Sequence, residues 1–321
     1  MGWRYPLTRL AQVVPTLAMI LLVTFVVISL APGDPAVAVA GEYAEAAQLE
    51  SVRSQLGLDR SLWEQLTHHT SALVRGDLGN SYFFGRPVSS LIAERIGATL
   101  LLTGTALLFS CALGILLGRV AARRPSGAVD VAVTATTLLG YSIPSFWLGQ
   151  LAILVFGLHF DWFPVVGMTD TRVHYQGLAL VWDVGKHLVL PATVLAVSEV
   201  ALLARLTRTG LIRQMREGYA RSAAGRGVST GRILSRHAFP NAALPLVTVI
   251  GTRVGFLFSG AVVVETVFSW PGIGLLLRDA VRHGDRPLAL GLVTLAAVSV
   301  LLANLVTDLV YARIDPRIRY D

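Results

Sequence analysis

The sequence predicts an all-α integral membrane protein of six spans, and three observations carry that expectation. Hydrophobic residues make up 54% of the 321-residue chain and charged residues 15%, with a mean hydropathy of +0.62; an ordinary soluble domain carries about 25% charged residues. Apolar runs of about 20 residues recur, each long enough to cross a hydrocarbon core of about 30 Å at about 1.5 Å per residue. Between two of these runs, residues 205–241 hold eight arginines (Arg205, Arg208, Arg213, Arg216, Arg221, Arg226, Arg232 and Arg236) against one acid, Glu217. Basic residues collect in cytoplasmic loops, so this segment lies inside and orients the rest. It also accounts for the whole net charge of +7, which makes topology, not a nucleic-acid ligand, the source of the basicity.

The spans follow in order. Arg4 and Arg9 precede the first, residues 10–31. Ala38-Val39-Ala40 has the small-residue pattern of a cleavage site, but the apolar run exceeds the roughly 7 to 15 residues of a signal-peptide core, so a retained helix is expected. Residues 32–97 carry eight acids against five arginines, the opposite sign to the basic loop, and are placed outside. Within them, Pro32-Gly33-Asp34-Pro35 ends the first helix. Ala47, Leu49, Val52 and Leu56 have helical spacing, Gly57-Leu58-Asp59 stops that helix, residues 62–74 form another, and Gly76-Asp77-Leu78-Gly79-Asn80-Ser81 is a turn.

The second span, 98–121, contains Gly114-x-x-x-Gly118, a spacing that lets helices approach closely, and returns inside at Arg119, Arg123 and Arg124. The third, 129–158, holds Ser142-Ile143-Pro144-Ser145-Phe146; a proline there frees a backbone carbonyl and bends the helix. Residues 159–186, with Trp162-Phe163-Pro164, form a short external loop with interfacial aromatics. The fourth span, 187–206, enters the basic loop and the fifth, 243–264, leaves it carrying Gly251-x-x-x-Gly255. An external hairpin, 265–287, and the sixth span, 288–310, complete the chain, with both termini inside. In the basic loop, Ala220, Ala223 and Ala224 lie on a short helix that Gly227 stops, and Ser229 or Thr230 caps a second helix ending at Pro240. Two short helices around a glycine corner make a docking surface.

Several chemistries are excluded. The single lysine, Lys186, sits in Gly185-Lys186-His187, so the chain lacks the Gly-Lys-Ser/Thr of a phosphate-binding loop. Any ATP-driven step needs another subunit. Cys111 stands alone and forms no internal disulfide. The histidines, His68, His69, His159, His174, His187, His237 and His283, fall in loops or at membrane edges without a zincin motif, and no GxSxG marks a nucleophile. That argues against a membrane-embedded enzyme. A channel or secondary transporter should carry coupling acids in its spans, and Glu199 is the one acid read as well inside a span.

Glu199 and Arg253 oppose one another in neighbouring spans. Counting from the inner boundary, both lie roughly 14 to 15 Å deep. A lone charge at that depth costs about 2.5 to 3.5 kcal/mol on insertion scales, so the two either pair between helices or line an aqueous path separately.

The run Gly218-Tyr219-Ala220-Arg221-Ser222-Ala223-Ala224-Gly225-Arg226-Gly227, followed by Ile233, Arg236-His237, Asn241 and Leu244-Pro245, resembles the EAA loop of ABC importer permeases of the dipeptide, oligopeptide and nickel branch. The Glu that names that motif is replaced by Arg221, with Glu217 four residues earlier. PGDP, GLD and GDLGNS, then SIPxF, then Glu265-Thr266-Val267-Phe268-Ser269-Trp270-Pro271-Gly272-Ile273-Gly274, and the ending Asp315-Pro316-Arg317-Ile318-Arg319 are similar to the same family, so the resemblance covers nearly the whole chain.

That resemblance implies the type I ABC importer permease fold. Residues 1–97 would be the first helix plus an external segment, and 98–321 a five-helix core carrying the coupling loop 205–241. Tyr219, Ala220, Arg221, Ala223, Ala224 and Gly227 would form the ATPase-coupling helix and its corner. Ser142 and Pro144 would lie by the translocation path, where Glu199 and Arg253 are placed by depth and charge unless they pair between helices, and Glu265, Phe268, Trp270, Pro271 and Gly272 would meet an external binding protein. The implied partners are a second related permease, two ATPase subunits (or one fused) that bind ATP and Mg, an extracytoplasmic substrate-binding protein and membrane lipid, with no cofactor or metal in this chain and no nucleic acid. The substrates of the branch are dipeptides, oligopeptides, glutathione or nickel.

Overall fold

The structure is a computed structural model that describes residues 4–30, 34–41, 44–257 and 261–314. The family-like ending at 315–319 lies outside the described residues. α1 (Arg4–Leu30) leads to three short helices, α2 (Pro35–Ala40), α3 (Ala46–Gln55) and α4 (Leu62–Val74). α5 (Val88–Ala122), α6 (Ala128–Ser142) and α7 (Ser145–Ala152, continued by a π-helical turn Ile153–His159) precede the long α8 (Leu178–Met215). Then come α9 (Gly218–Gly225), α10 (Thr230–Arg232, continued by a π-helical turn Ile233–Ala238), α11 (Phe239–Ala242), α12 (Leu244–Phe256), α13 (Val262–Val267), α14 (Ile273–Arg282) and α15 (Arg286–Ile314). Among the described residues the sole strand-like pairing is a bridge between Asn80 and Pro87.

α5 and α8 form the centre. They approach until a Cβ on Gly118 would stand 2.5 Å from the Ala204 carbonyl oxygen, and one on Gly114 2.8 Å from Leu203 Cβ. α12 and α15 repeat the device, because a Cβ on Gly251 would fall 2.4 Å from Thr307 Oγ1 and one on Gly255 2.9 Å from Ala303 Cβ. Without a hydrophobic drive between helices in lipid, backbone proximity of this kind supplies the packing.

The described helices modify the expected spans. Four are long and apolar enough to cross a membrane: Gln12–Leu30, Val88–Ala122, Leu178–Met215 and Arg286–Thr307. The third expected span is two helices, α6 and α7, bent by 100° at Ile143-Pro144, so the proline does more than kink it. The expected fifth span is shorter than read: α12 has 13 residues, about 20 Å. Its terminal Leu257 carbonyl is taken up by the Thr103 hydroxyl of α5 at 3.1 Å.

Two helices begin earlier than read. Val88, Leu91 and Ile92 pack on Ile273, Leu276 and Leu288, which starts α5 ten residues before Ala98 and draws Glu94 and Arg95 into it. α8 starts at Leu178, where the buried Asp183 accepts a hydrogen bond from the Asp170 backbone at 2.8 Å. It runs on through Arg205, Arg208 and Arg213, so the basic loop proper begins only after Met215.

Candidate functional site

The chain leaves α8 at the Arg216 cap and turns into α9. Ala220 and Ala223 face inward and pack with Ile233, flanked by Met215 and Val228. The end of α9 is a Schellman motif: Val228 N–H donates to the Ala223 carbonyl at 3.2 Å and Gly227 N–H to that of Ala224 at 2.9 Å. Gly227 has φ +80°, the left-handed conformation that glycine adopts without Cβ strain. Ser229 then begins α10 with its backbone carbonyl only; no side-chain cap bond forms. Leu234, Ala238 and Ala242 return the chain onto Leu211 of α8, and Arg119 of α5 stacks over the Phe239 ring at 4.9 Å.

This packing divides the six coupling candidates. Tyr219, Arg221 and Ala224 are exposed, with the Tyr219 hydroxyl bonded to Gln214 Oε1 at 2.7 Å. Ala220 and Ala223 are small because Ile233 and α8 lie behind them. Of the three alanines expected on the coupling helix, these two build the loop's interior and only Ala224 is on the exposed face.

The path candidates fall in two places. Ser142 and Pro144 are exposed at the α6–α7 bend, where the Ser142 hydroxyl bonds the Leu138 carbonyl at 2.9 Å. Glu199 of α8 and Arg253 of α12 meet, Arg253 Nε lying 3.0 Å from Glu199 Oε2. The approach is an ion pair and not an aligned hydrogen bond, since that oxygen lacks a partner of good geometry. The pair is part-open, the side chains being 41% and 23% exposed respectively.

The hairpin candidates require a correction. Glu265, Phe268 and Trp270 are fully or almost fully buried and offer no outer face for docking. Glu265 Oε1 accepts from the Thr99 hydroxyl at 2.9 Å and Oε2 from Leu275 N–H at 2.9 Å. Thr99 Oγ1 in turn accepts from Ile273 N–H at 2.7 Å. Two of the orphan donors at the N-terminus of α14 are thereby satisfied by side chains from elsewhere. Trp270 Nε1 donates to the Ala98 carbonyl of α5 at 2.8 Å. A Cβ on Gly272 would lie 2.4 Å from both Glu265 Oε2 and Thr99 Oγ1, so this glycine makes room for the carboxyl group. Pro271 is half-buried. These residues lock the hairpin to α5.

Besides Asp183, two further buried acids were missed by sequence reading. Asp130, 3% exposed, takes Arg208 of α8 through Nε and, at 2.7 Å, Nη2, together with Ser126 N–H at 2.8 Å. Asp285 accepts from the Ser81 hydroxyl at 2.5 Å, Phe83 N–H at 3.1 Å and Leu288 N–H at 3.2 Å, pinning the GDLGNS turn to the start of α15. Both stand beside apparent loop positions, and only the long-range partners, 78 and 204 residues away, reveal them.

The comparisons agree with this architecture. Residues 114–320 match the family described as binding-protein-dependent transport system inner membrane component, and residues 3–103 match its N-terminal counterpart. The chain is 38% identical to a probable peptide ABC transporter permease protein, y4tP, of Sinorhizobium fredii, over 98% of this chain and 99% of that one. It is 36% identical to the dipeptide transport system permease protein DppB of Escherichia coli (strain K12), over 99% of each. With the glutathione transport system permease protein GsiC of Escherichia coli O6:H1 it shares 38% over 98% and 99%. Among solved structures, the inward-facing MetNI methionine ABC transporter superposes with a TM-score of 0.55 at 18% identity, covering 70% of this chain and 96% of that one, a likeness of fold. A bundle centred on two close-packed long helices, with an arginine-rich helical loop at one end, is thus matched over nearly its whole length: the chain belongs to the binding-protein-dependent transport system inner membrane components, the permeases of ABC transporters.

Proposed function

We propose that this permease is one of two related subunits forming the path of an ATP-driven peptide importer, with a substrate-binding protein outside and ATPase subunits docked on α9. The observation that carries the docking role is the division of α9. Its buried alanines and Schellman corner fix a short helix whose outer face presents Tyr219, Arg221 and Ala224. A peptide substrate is supported by the names of the dipeptide and peptide permeases above; the glutathione relative favours a tripeptide-like cargo as the second reading. Nickel is the remaining alternative of the branch. Six crossings with both termini inside remain the topology we assign, with the α6–α7 pair as one span and α12 to α13 as another.

Uptake of labelled dipeptide by the assembled transporter should stop when its ATPases are inactivated; continued uptake would remove the ABC reading. Arg221→Glu and Ala224→Trp, on the exposed face, should reduce uptake at least tenfold while protein level and basal ATP hydrolysis persist. Ala223→Asp should instead lower the protein level, because it buries a charge against Ile233. Normal uptake in both surface variants would remove the docking role from α9. For orientation, Ser71→Cys should react with an impermeant thiol reagent in intact cells and Ser229→Cys only after the membrane is opened. The reverse pattern overturns the topology.

A further inference from the structure

Between the ends of α1 and α15 farthest from the arginine loop and the underside of α4 lies a cavity of about 610 Å³, within the range of small-ligand sites. Its floor is apolar, from Phe25 and Ile28 of α1 and Leu290 of α15, at the ends of two membrane-crossing helices. Its upper wall is polar. There the basic side chains and the carboxyl groups differ in what they have left to bind. Glu64 accepts the Ser61 N–H and hydroxyl at 3.0 and 2.9 Å in a capping box. Asp77 accepts Gly79 N–H at 2.8 Å, and the nearby Asp34 is held by Arg53 at 2.5 Å.

The donors are idle by comparison. Among the described residues the Arg60 guanidinium makes no hydrogen bond or salt bridge and acts on Glu64 only through space, and Arg286 makes a 3.5 Å contact to the Ser29 carbonyl and acts on Asp34 through space. His69 Nε2 is buried without a partner. The wall therefore has unused donor capacity above an apolar floor, which is the complement of a phosphate bearing hydrocarbon chains. Arginine suits such a head because its planar fork binds phosphate oxygens in pairs. Burial also pushes the His69 imidazole below its ordinary range, leaving a neutral ring able to donate one N–H.

We propose that this cavity binds an anionic phospholipid of the leaflet opposite the arginine loop, with its phosphate between Arg60 and Arg286 and an acyl chain along Phe25 and Leu290. The lipid would fill the space between the membrane pair α1–α15 and the external helices. Its occupant is set by chemistry that a free phosphate shares only at the head, so the hydrocarbon floor is what separates the two.

The test uses the full chain purified in mild detergent, with retained lipid read by native mass spectrometry and thermal midpoint read on adding phosphatidylglycerol, phosphatidylcholine or inorganic phosphate. The expected result is retained phosphatidylglycerol, reduced at least tenfold in Arg60→Gln/Arg286→Gln, and a midpoint raised by phosphatidylglycerol alone. Arg60→Gln by itself should show a smaller loss; its side chain is exposed and folding does not rest on it, so it serves if the double variant fails to accumulate. Equal lipid retention by wild type and Arg60→Gln overturns the site. A midpoint raised equally by inorganic phosphate assigns it to a free anion and overturns the lipid. Equal stabilisation by phosphatidylcholine removes the charge selectivity.

Discussion

Glu265→Ala is expected to lower the amount of this permease in the membrane several-fold and to depress its unfolding midpoint more than any change on the exposed face of α9. Glu265 is fully buried, and its two oxygens take the Thr99 hydroxyl and the Leu275 N–H. Alanine leaves a donor at the start of α14 unsatisfied and opens a void beside Gly272 and Thr99. A buried unsatisfied donor alone costs about 1 to 3 kcal/mol, and a change of about 1 to 2 kcal/mol already alters cellular abundance several-fold. Glu265→Gln keeps one acceptor oxygen and the volume, and should fall between wild type and alanine. Gly272→Ala should resemble Glu265→Ala, since its Cβ would occupy the space of the carboxyl oxygen. Quantitative blots and thermal unfolding in detergent check all three. Unchanged abundance and midpoint for Glu265→Ala would falsify the assignment of this residue as the hairpin lock.

The second large effect is expected at the Glu199–Arg253 pair. Removing one charge leaves the other at mid-membrane without its partner, so Glu199→Gln or Arg253→Gln alone should lower the unfolding midpoint more than the two together. A lone charge there costs about 2.5 to 3.5 kcal/mol on insertion scales. Interhelical polar couplings measured in membrane proteins average about 0.6 kcal/mol and reach about 1.7 kcal/mol. A coupling of about 1 kcal/mol is therefore the expected outcome of a double-mutant cycle at matched expression. Strictly additive losses would show that the 3.0 Å approach contributes no net stability.

Some of this architecture could be read along the chain because it is local. The apolar runs, the arginine loop with its single acid, the glycine that closes α9 and the two glycine pairs each express a rule acting over a few residues. The close approaches at Gly114, Gly118, Gly251 and Gly255 follow from the absence of a side chain. Depth also follows from counting residues along a helix, which is why Glu199 and Arg253 could be set at one level before their 3.0 Å contact was known.

Partnership between distant segments was not legible. Asp130 and Asp285 look like ordinary boundary acids until Arg208 and Ser81 are brought to them. The hairpin is placed outside by its order between the fifth and sixth spans, which says nothing of burial; what buries it is the match of Glu265 and Trp270 to Thr99 and the Ala98 carbonyl, more than 160 residues earlier. The short α12, likewise, ends beside α5, where the Thr103 hydroxyl donates to the carbonyl of its C-cap, Leu257. By itself the sequence determined the membrane class and the places of close helix contact, since hydrophobic length and glycine spacing act locally. Only the tertiary structure decided which polar groups are buried, because burying one is tolerable only when its hydrogen-bonding partner arrives from another part of the chain.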